Sequence, residues 1–192
     1  MKKKIIFIFQ VILIYFFSLI VSKADLQKKI INKLNSTETL SFDFKQKIAD
    51  KEEFGKCFIK YPLLMKCNYQ NIKEKILISN GKTVAIIKKK YKKIYYYPIK
   101  STPLFTILQK KKIINLIKNS TPTKIDPKVI EFEFLDKNLN KLKILFDKNT
   151  LELNGWETKD AYSNNVSFKI MNLITNNQIV DDFFKIPREE DL

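Results

Sequence analysis

Cys57 and Cys67 are the only thiols of the 192-residue chain, and each stands five residues from Pro62 in the stretch GKCFIKYPLLMKCNY. Two cysteines so placed could form a disulfide, a redox pair, part of a metal site, or two small buried side chains. The nine residues between them are too many for the CxxC spacing of redox motifs. The chain has no histidine, which removes the usual general base, the commonest zinc ligand and any Ser-His-Asp triad. Three glycines cannot build a phosphate-binding loop, and no pair of carboxylates stands out. These residue types argue against an enzyme, a lipid hydrolase included, and against any cofactor or metal centre.

The elements that must position the cysteines follow from period-two alternation. Cys57, Ile59, Met65, Cys67 and Tyr69 share one parity, whereas Lys56, Lys60, Lys66 and Asn68 take the other. A loop of Tyr61, Pro62 and Leu63 pairs Lys60 with Leu64, Ile59 with Met65 and Cys57 with Cys67. The thiols are then direct cross-strand neighbours on the apolar face, within disulfide reach. A cross-strand disulfide is the expectation, with a reduced core pair as its alternative.

The rest of the chain reads as a β-meander interrupted by helices. Asp25 is suited to cap a helix from Leu26 to about Asn35, with Leu26, Ile30, Ile31 and Leu34 as its stripe. From Glu38 the period changes to two, and Leu40, Phe42 and Phe44 mark a half-buried strand. Asn80-Gly81 reads as a two-residue hairpin turn that pairs Ile78 with Thr83 and Ile76 with Ala85. On this reading Ile76, Ile78, Ala85 and Ile87 form the apolar face. Another strand runs from Ile94 to Tyr97. In STPLFTIL, Ser101 or Thr102 can cap and Pro103 suits the first helical position; Leu104, Phe105, Ile107 and Leu108 wrap that short helix. Further apolar positions follow at 113, 114, 116 and 117. Strand periodicity returns near 129–135, 141–147, 150–158, 165–174 and 179–186. An antiparallel sheet curling around helices fits this order.

The N-terminus carries Lys2, Lys3 and Lys4, an apolar run from Ile5 to Val21, and Ser22-Lys23-Ala24. That is the layout of a signal peptide cleaved before Asp25, leaving one domain over 25–192 outside the inner membrane, where disulfides form. Lys+Arg 36 against Asp+Glu 20 gives +16. Removing residues 1–24 takes four lysines and no acid, leaving +12. Arg188 is the only arginine, so the planar fork favoured for base recognition is nearly absent. The charge therefore reads as a lysine surface, compatible with anionic lipid headgroups and not with nucleic acid.

The pieces LSFDFKQ, GKCFIKYPLLMKCNY, ILISNGKTVAII, STPLFTIL, LELNGWETKDA and DDFFKIP, in this order, resemble the LolA family of periplasmic lipoprotein carriers over nearly the whole of 25–192. The resemblance implies an α+β, mainly β fold: an incomplete antiparallel β-barrel with an N-terminal helix and a lid of short helices. It implies a monomer whose cavity holds lipoprotein acyl chains, taken from an inner-membrane ABC transporter and passed to the outer-membrane receptor LolB. The lipid-binding residues expected on this footing are Leu34, Phe42, Phe44, Cys57, Ile59, Met65, Cys67, Tyr69, Ile76, Ile78, Ala85 and Ile87. The lid would comprise Leu104, Phe105, Ile107 and Leu108. The pattern departs from the family at three places. Cysteines replace large apolar residues at 57 and 67, Tyr61 replaces an arginine that bonds to the lid, and Ser163 stands where a turn glycine is common. Tyr61 is thus the candidate gate. A half-barrel sensor or scaffold that recognises proteins without carrying lipid is the alternative reading.

Overall fold

The structure is a computed structural model and describes residues 24–70, 74–135, 141–160 and 163–192. The expected signal peptide lies almost wholly outside the described residues. Among the described residues no helix is long and apolar enough to cross a membrane.

Helix α1 covers residues 24–35. Asp25 therefore sits inside it and does not cap it; its carboxylate instead pairs with Lys29 one turn on, at 2.7 Å. The stripe is as expected, with Ile30 and Leu34 buried in the core. Six strands follow: β1 (Thr39–Ile48), β2 (Lys51–Lys60), β3 (Leu64–Tyr69), β4 (Lys75–Asn80), β5 (Thr83–Lys88) and β6 (Lys93–Pro98). Two short helices, α2 (Leu104–Ile107) and α3 (Lys110–Lys118), separate them from β7 (Lys124–Ile125), β8 (Val129–Leu135), β9 (Lys141–Asp147), β10 (Leu153–Lys159) and β11 (Asn165–Thr175). All eleven strands form one antiparallel sheet in the order β6-β5-β4-β3-β2-β1-β11-β10-β9-β8-β7. The terminal strands β6 and β7 do not pair, so the barrel is open.

The β2–β3 register has Lys60 opposite Leu64, Ile59 opposite Met65 and Cys57 opposite Cys67, as the alternation predicts. The Tyr61–Pro62 peptide in the loop is cis. The β4–β5 hairpin differs from expectation by two residues: Ile78 faces Ala85 and Ile76 faces Ile87. The turn residues are Gly81 and Lys82, not Asn80 and Gly81. Asn80 closes the turn from outside it, its Oδ1 accepting from the N–H groups of Lys82 and Thr83 at 3.1 and 2.9 Å. Only Gly81 of the two central residues has a positive φ, +93°, which suits a turn with glycine first.

Three further expectations shift. The hydroxyls of Ser101 and Thr102 donate back to the carbonyls of Pro98 and Ile99, so neither caps α2. The strand expected near 179–186 is an extended segment with a 3-10 turn at Asp181–Phe184. It packs on the outer face, where the Phe183 ring meets Phe58 edge-on at 5.0 Å and lies under the Lys66 ammonium. Ser163 adopts φ +64°, the left-handed conformation that a glycine holds without strain.

Two cores result. The larger fills the concave face and takes in α1, the β-sheet, Ile107 and Leu108 at the end of α2, and Ile113, Ile114 and Ile117 of α3. The smaller lies on the opposite face: Ile78, Ala85, Ile87 and Ile94, covered by Ile76, Ile186 and Leu192.

Candidate functional site

Between the concave face of the sheet and α2 lies a cavity of about 560 Å³. Strands β3 to β6 contribute Met65, Tyr69, Leu77, Val84, Ile86 and Tyr97. The far half of the sheet contributes Leu142, Trp156, Val166 and Phe168, and α2 adds Leu104, Phe105 and Ile107. The polar lining groups are Gln46, several hydroxyls, Asp160 and the lysines at 100, 112 and 159, all three lysines being exposed. A mostly apolar cavity of a few hundred cubic ångströms is the usual form of a small-molecule or lipid site.

Registers across the sheet explain the lining. Leu40, Ile59, Met65, Ser79, Val84 and Tyr97 stand in one row across six strands, and Phe42, Cys57, Cys67, Leu77 and Ile86 in the next. Both rows point to the concave face. Ile76 and Ile78 pair with Asn68 and Lys66 and so point the other way. Ile76, Ile78, Ala85 and Ile87 consequently do not line the cavity; they belong to the outer core. Their neighbours Leu77, Val84 and Ile86 take the inner positions.

The remaining expected residues divide by depth. Met65 and Tyr69 line the cavity. Phe42, Phe44, Cys57, Ile59 and Cys67 are buried on the same face in the core beneath it, and Leu34 packs there from α1. Cys57 and Cys67 are joined by a disulfide and are wholly buried. The lid residues Leu104, Phe105 and Ile107 face the cavity, whereas Leu108 is fully buried in the core.

A continuous aromatic wall supports one side. Trp156 stacks on Phe168 at 4.1 Å, Phe168 on Phe44 at 4.8 Å, and Phe44 meets Tyr69 edge-on at 4.9 Å. A Cβ on Gly55 would lie 2.7 Å from the Phe44 ring, so the bare backbone there lets the ring cross β2. The Tyr69 phenol donates to Gln46 Oε1 at 2.8 Å. Burial, with the Glu53 carboxylate adding to it, pushes its pKa above the usual tyrosine range. The Lys75 ammonium stands 3.7 Å from the centre of that ring and pairs with Glu53.

Tyr61 does not bond to the lid. Its hydroxyl is buried and has no hydrogen-bond partner among the described residues, and burial raises its pKa. The loop is tied to the end of α2 by main chain instead: the Leu63 N–H donates to the Leu108 carbonyl at 2.9 Å. Ser79 Oγ in turn donates to the Leu63 carbonyl at 2.6 Å. The Lys110 ammonium reaches from α3 to the carbonyls of Asn35 and Thr37, tying α3 to the segment that follows α1.

Sequence reasoning missed the C-terminal half of the lining. The signal was present: Val166, Phe168 and Ile170 alternate with exposed residues along β11, and Leu142, Ile144 and Phe146 alternate with half-buried ones along β9. What was absent was any local cue that β11 pairs with β1 and so brings the two halves of the chain together.

The family model described as outer membrane lipoprotein carrier protein LolA matches residues 35–187. None of the curated proteins compared with the chain matches it. Among solved structures, the chain is similar to an uncharacterised conserved protein from Thermus thermophilus. The TM-score is 0.50 at 7% identity, covering 86% of this chain and 94% of that one. A LolA superfamily protein from Nitrosomonas europaea has a TM-score of 0.42 at 8% identity, covering 83% and 97%. MucB has a TM-score of 0.49 at 8% identity, covering 88% of this chain and 64% of that one.

Proposed function

The chain belongs to the LolA family, and from that premise we propose that it carries the acyl chains of lipoproteins through the periplasm. The observation behind this reading is the cavity of about 560 Å³, apolar on the sheet side and roofed by a helix of only four residues. Each methylene taken from water contributes about 0.8 kcal/mol, so a chain of about 16 carbons would cost on the order of 12 kcal/mol to expose. A carrier must shield that surface and still release it. A short helix held to the hairpin loop by the Leu63–Leu108 main-chain bond suits a roof with closely balanced closed and open states.

In this role Met65, Leu77, Val84, Ile86 and Phe168 contact the acyl chains, and Leu104, Phe105 and Ile107 are displaced as they enter. An inner-membrane ABC transporter supplies the cargo and the outer-membrane receptor LolB accepts it. Mass spectrometry of the protein purified from a periplasmic extract is expected to find acylated peptide or lipid in stoichiometric amount. Spin labels on α2 and on the β2–β3 loop are expected to move apart on loading. Protein that purifies without acyl chains, takes up none from detergent-solubilised lipoprotein and keeps the distance unchanged would remove the carrier reading and leave the sensor or scaffold one.

A further inference from the structure

The charge of the chain is concentrated in one region. Residues 75–118 hold twelve lysines and no aspartate or glutamate. They comprise β4, β5, β6, α2 and α3, and thus one side of the cavity together with its roof. Lys89, Lys90 and Lys92 lie in the turn leading into β6, Lys93 is its first residue, and all four are exposed. Among the described residues the strand itself is a free edge of the sheet, and it carries Tyr95, Tyr96 and Tyr97, which are 42%, 55% and 44% exposed. Tyr95 and Tyr97 pair with Ile86 and Val84 and project on the cavity side; Tyr96 pairs with Ala85 and projects on the outer side. Phenols therefore flank both sides of one edge.

A free edge ordinarily invites another strand, but this one is poorly suited to it. The Ile94 N–H points away from β5 and is taken by the Glu189 carboxylate at 2.9 Å. Two residues on in each step along that side come Tyr96 and then Pro98, which has no N–H to offer. The acidic turn Glu189–Asp191 meets the start of the strand through that bond, and its Glu190 and Asp191 are held by Arg188. Amphipathic aromatic rings beside lysines are the composition that settles at a lipid headgroup layer. Tyr97 and Lys100 belong to this surface and also line the cavity, so whatever the edge rests on faces the cavity mouth.

We propose that the β6 edge and the lysines leading into it dock the protein on an anionic lipid bilayer, with the mouth of the cavity turned to the membrane. The inference goes beyond the carrier reading and does not depend on it, since docking needs no acyl chain inside. It is tested with the protein purified from a cell-envelope extract and two sets of vesicles, pure phosphatidylcholine and an equal mixture with phosphatidylglycerol. Co-sedimentation is expected with the mixture alone, weakening steeply with added salt. The combined Lys89→Gln, Lys90→Gln, Lys92→Gln, Lys93→Gln variant is expected to weaken it at least tenfold. A Tyr95→Ser, Tyr96→Ser variant, which leaves the charge intact, is expected to weaken it several-fold. Circular dichroism identifies variants that retain the fold, and acyl-chain uptake from detergent is expected to be unchanged in them. Equal binding to both vesicle types, no binding to either, or folded variants that bind as tightly as wild type would overturn the proposal. So would retention on polyglutamate but not on the anionic vesicles, which would assign the surface to an acidic protein.

Discussion

Hairpins β2–β3 and β4–β5 are neighbours in one sheet and differ in what covers their outer face. On β2–β3 that face is mixed, with Lys56, Lys60, Lys66 and Asn68 beside Phe58, on which the Phe183 ring packs. On β4–β5 both faces are apolar: Leu77, Val84 and Ile86 toward the cavity, Ile76, Ile78, Ala85 and Ile87 toward the C-terminal segment. Alternation assigns a face only where one side of the strand is wet. The outer face therefore keeps its lysines at β2–β3 and becomes an apolar core at β4–β5, where the tail residues Ile186 and Leu192 close over it.

That difference can be probed from both sides. The largest effect is expected at Ile78, 2% exposed in the outer core: Ile78→Ala should cost about 2–5 kcal/mol and leave acyl-chain uptake per folded molecule unchanged. Its neighbour Leu77 should do the reverse, with Leu77→Gln nearly neutral in urea unfolding and impaired in uptake. Loss of uptake in the Ile78 variant, with Leu77→Gln unaffected, would exchange the two faces. Next comes the disulfide. The Cys57→Ser, Cys67→Ser double variant should lose about 2–3 kcal/mol, since the closed loop is short, and thiol titration of the unfolded wild type should find no free thiol. Two free thiols would return the pair to a reduced core.

Smaller effects belong to the two turns. The Tyr61 hydroxyl is buried without a partner among the described residues, so Tyr61→Phe should stabilise the protein by about 1 kcal/mol without changing acyl-chain uptake. A loss of uptake in that variant would restore Tyr61 as a gate. Asn80→Ala removes two hydrogen bonds to the β4–β5 turn and should cost about 0.5–1 kcal/mol. An effect of that size checks that the turn residues are Gly81 and Lys82.

What was legible follows the same division. Period-two alternation against lysines located β1, β2 and β3, and loop length set the Cys57–Cys67 pairing, because both are local properties of a half-wet hairpin. The order of helix, meander, two short helices and second meander was equally readable, as were the apolar wrap of Leu104–Leu108 and the residues that carry the family resemblance. Four of the expected lining residues, Ile76, Ile78, Ala85 and Ile87, were placed on the wrong face. Strands that are apolar on both sides carry no sign of which side is inner, and the segment that covers their outer side lies about a hundred residues away. Tyr61 was matched to a gating arginine by position, but the tie to the lid runs through the Leu63 main chain, which no side-chain type reports. The amino-acid sequence alone thus determined the elements, the disulfide register and the concentration of lysines around the roof, all of which depend on near neighbours. Only the tertiary structure decided which face of β4–β5 meets the cavity and that Trp156 and Phe168 complete its wall, because both depend on β11 closing against β1 and on the tail folding back over the outer face.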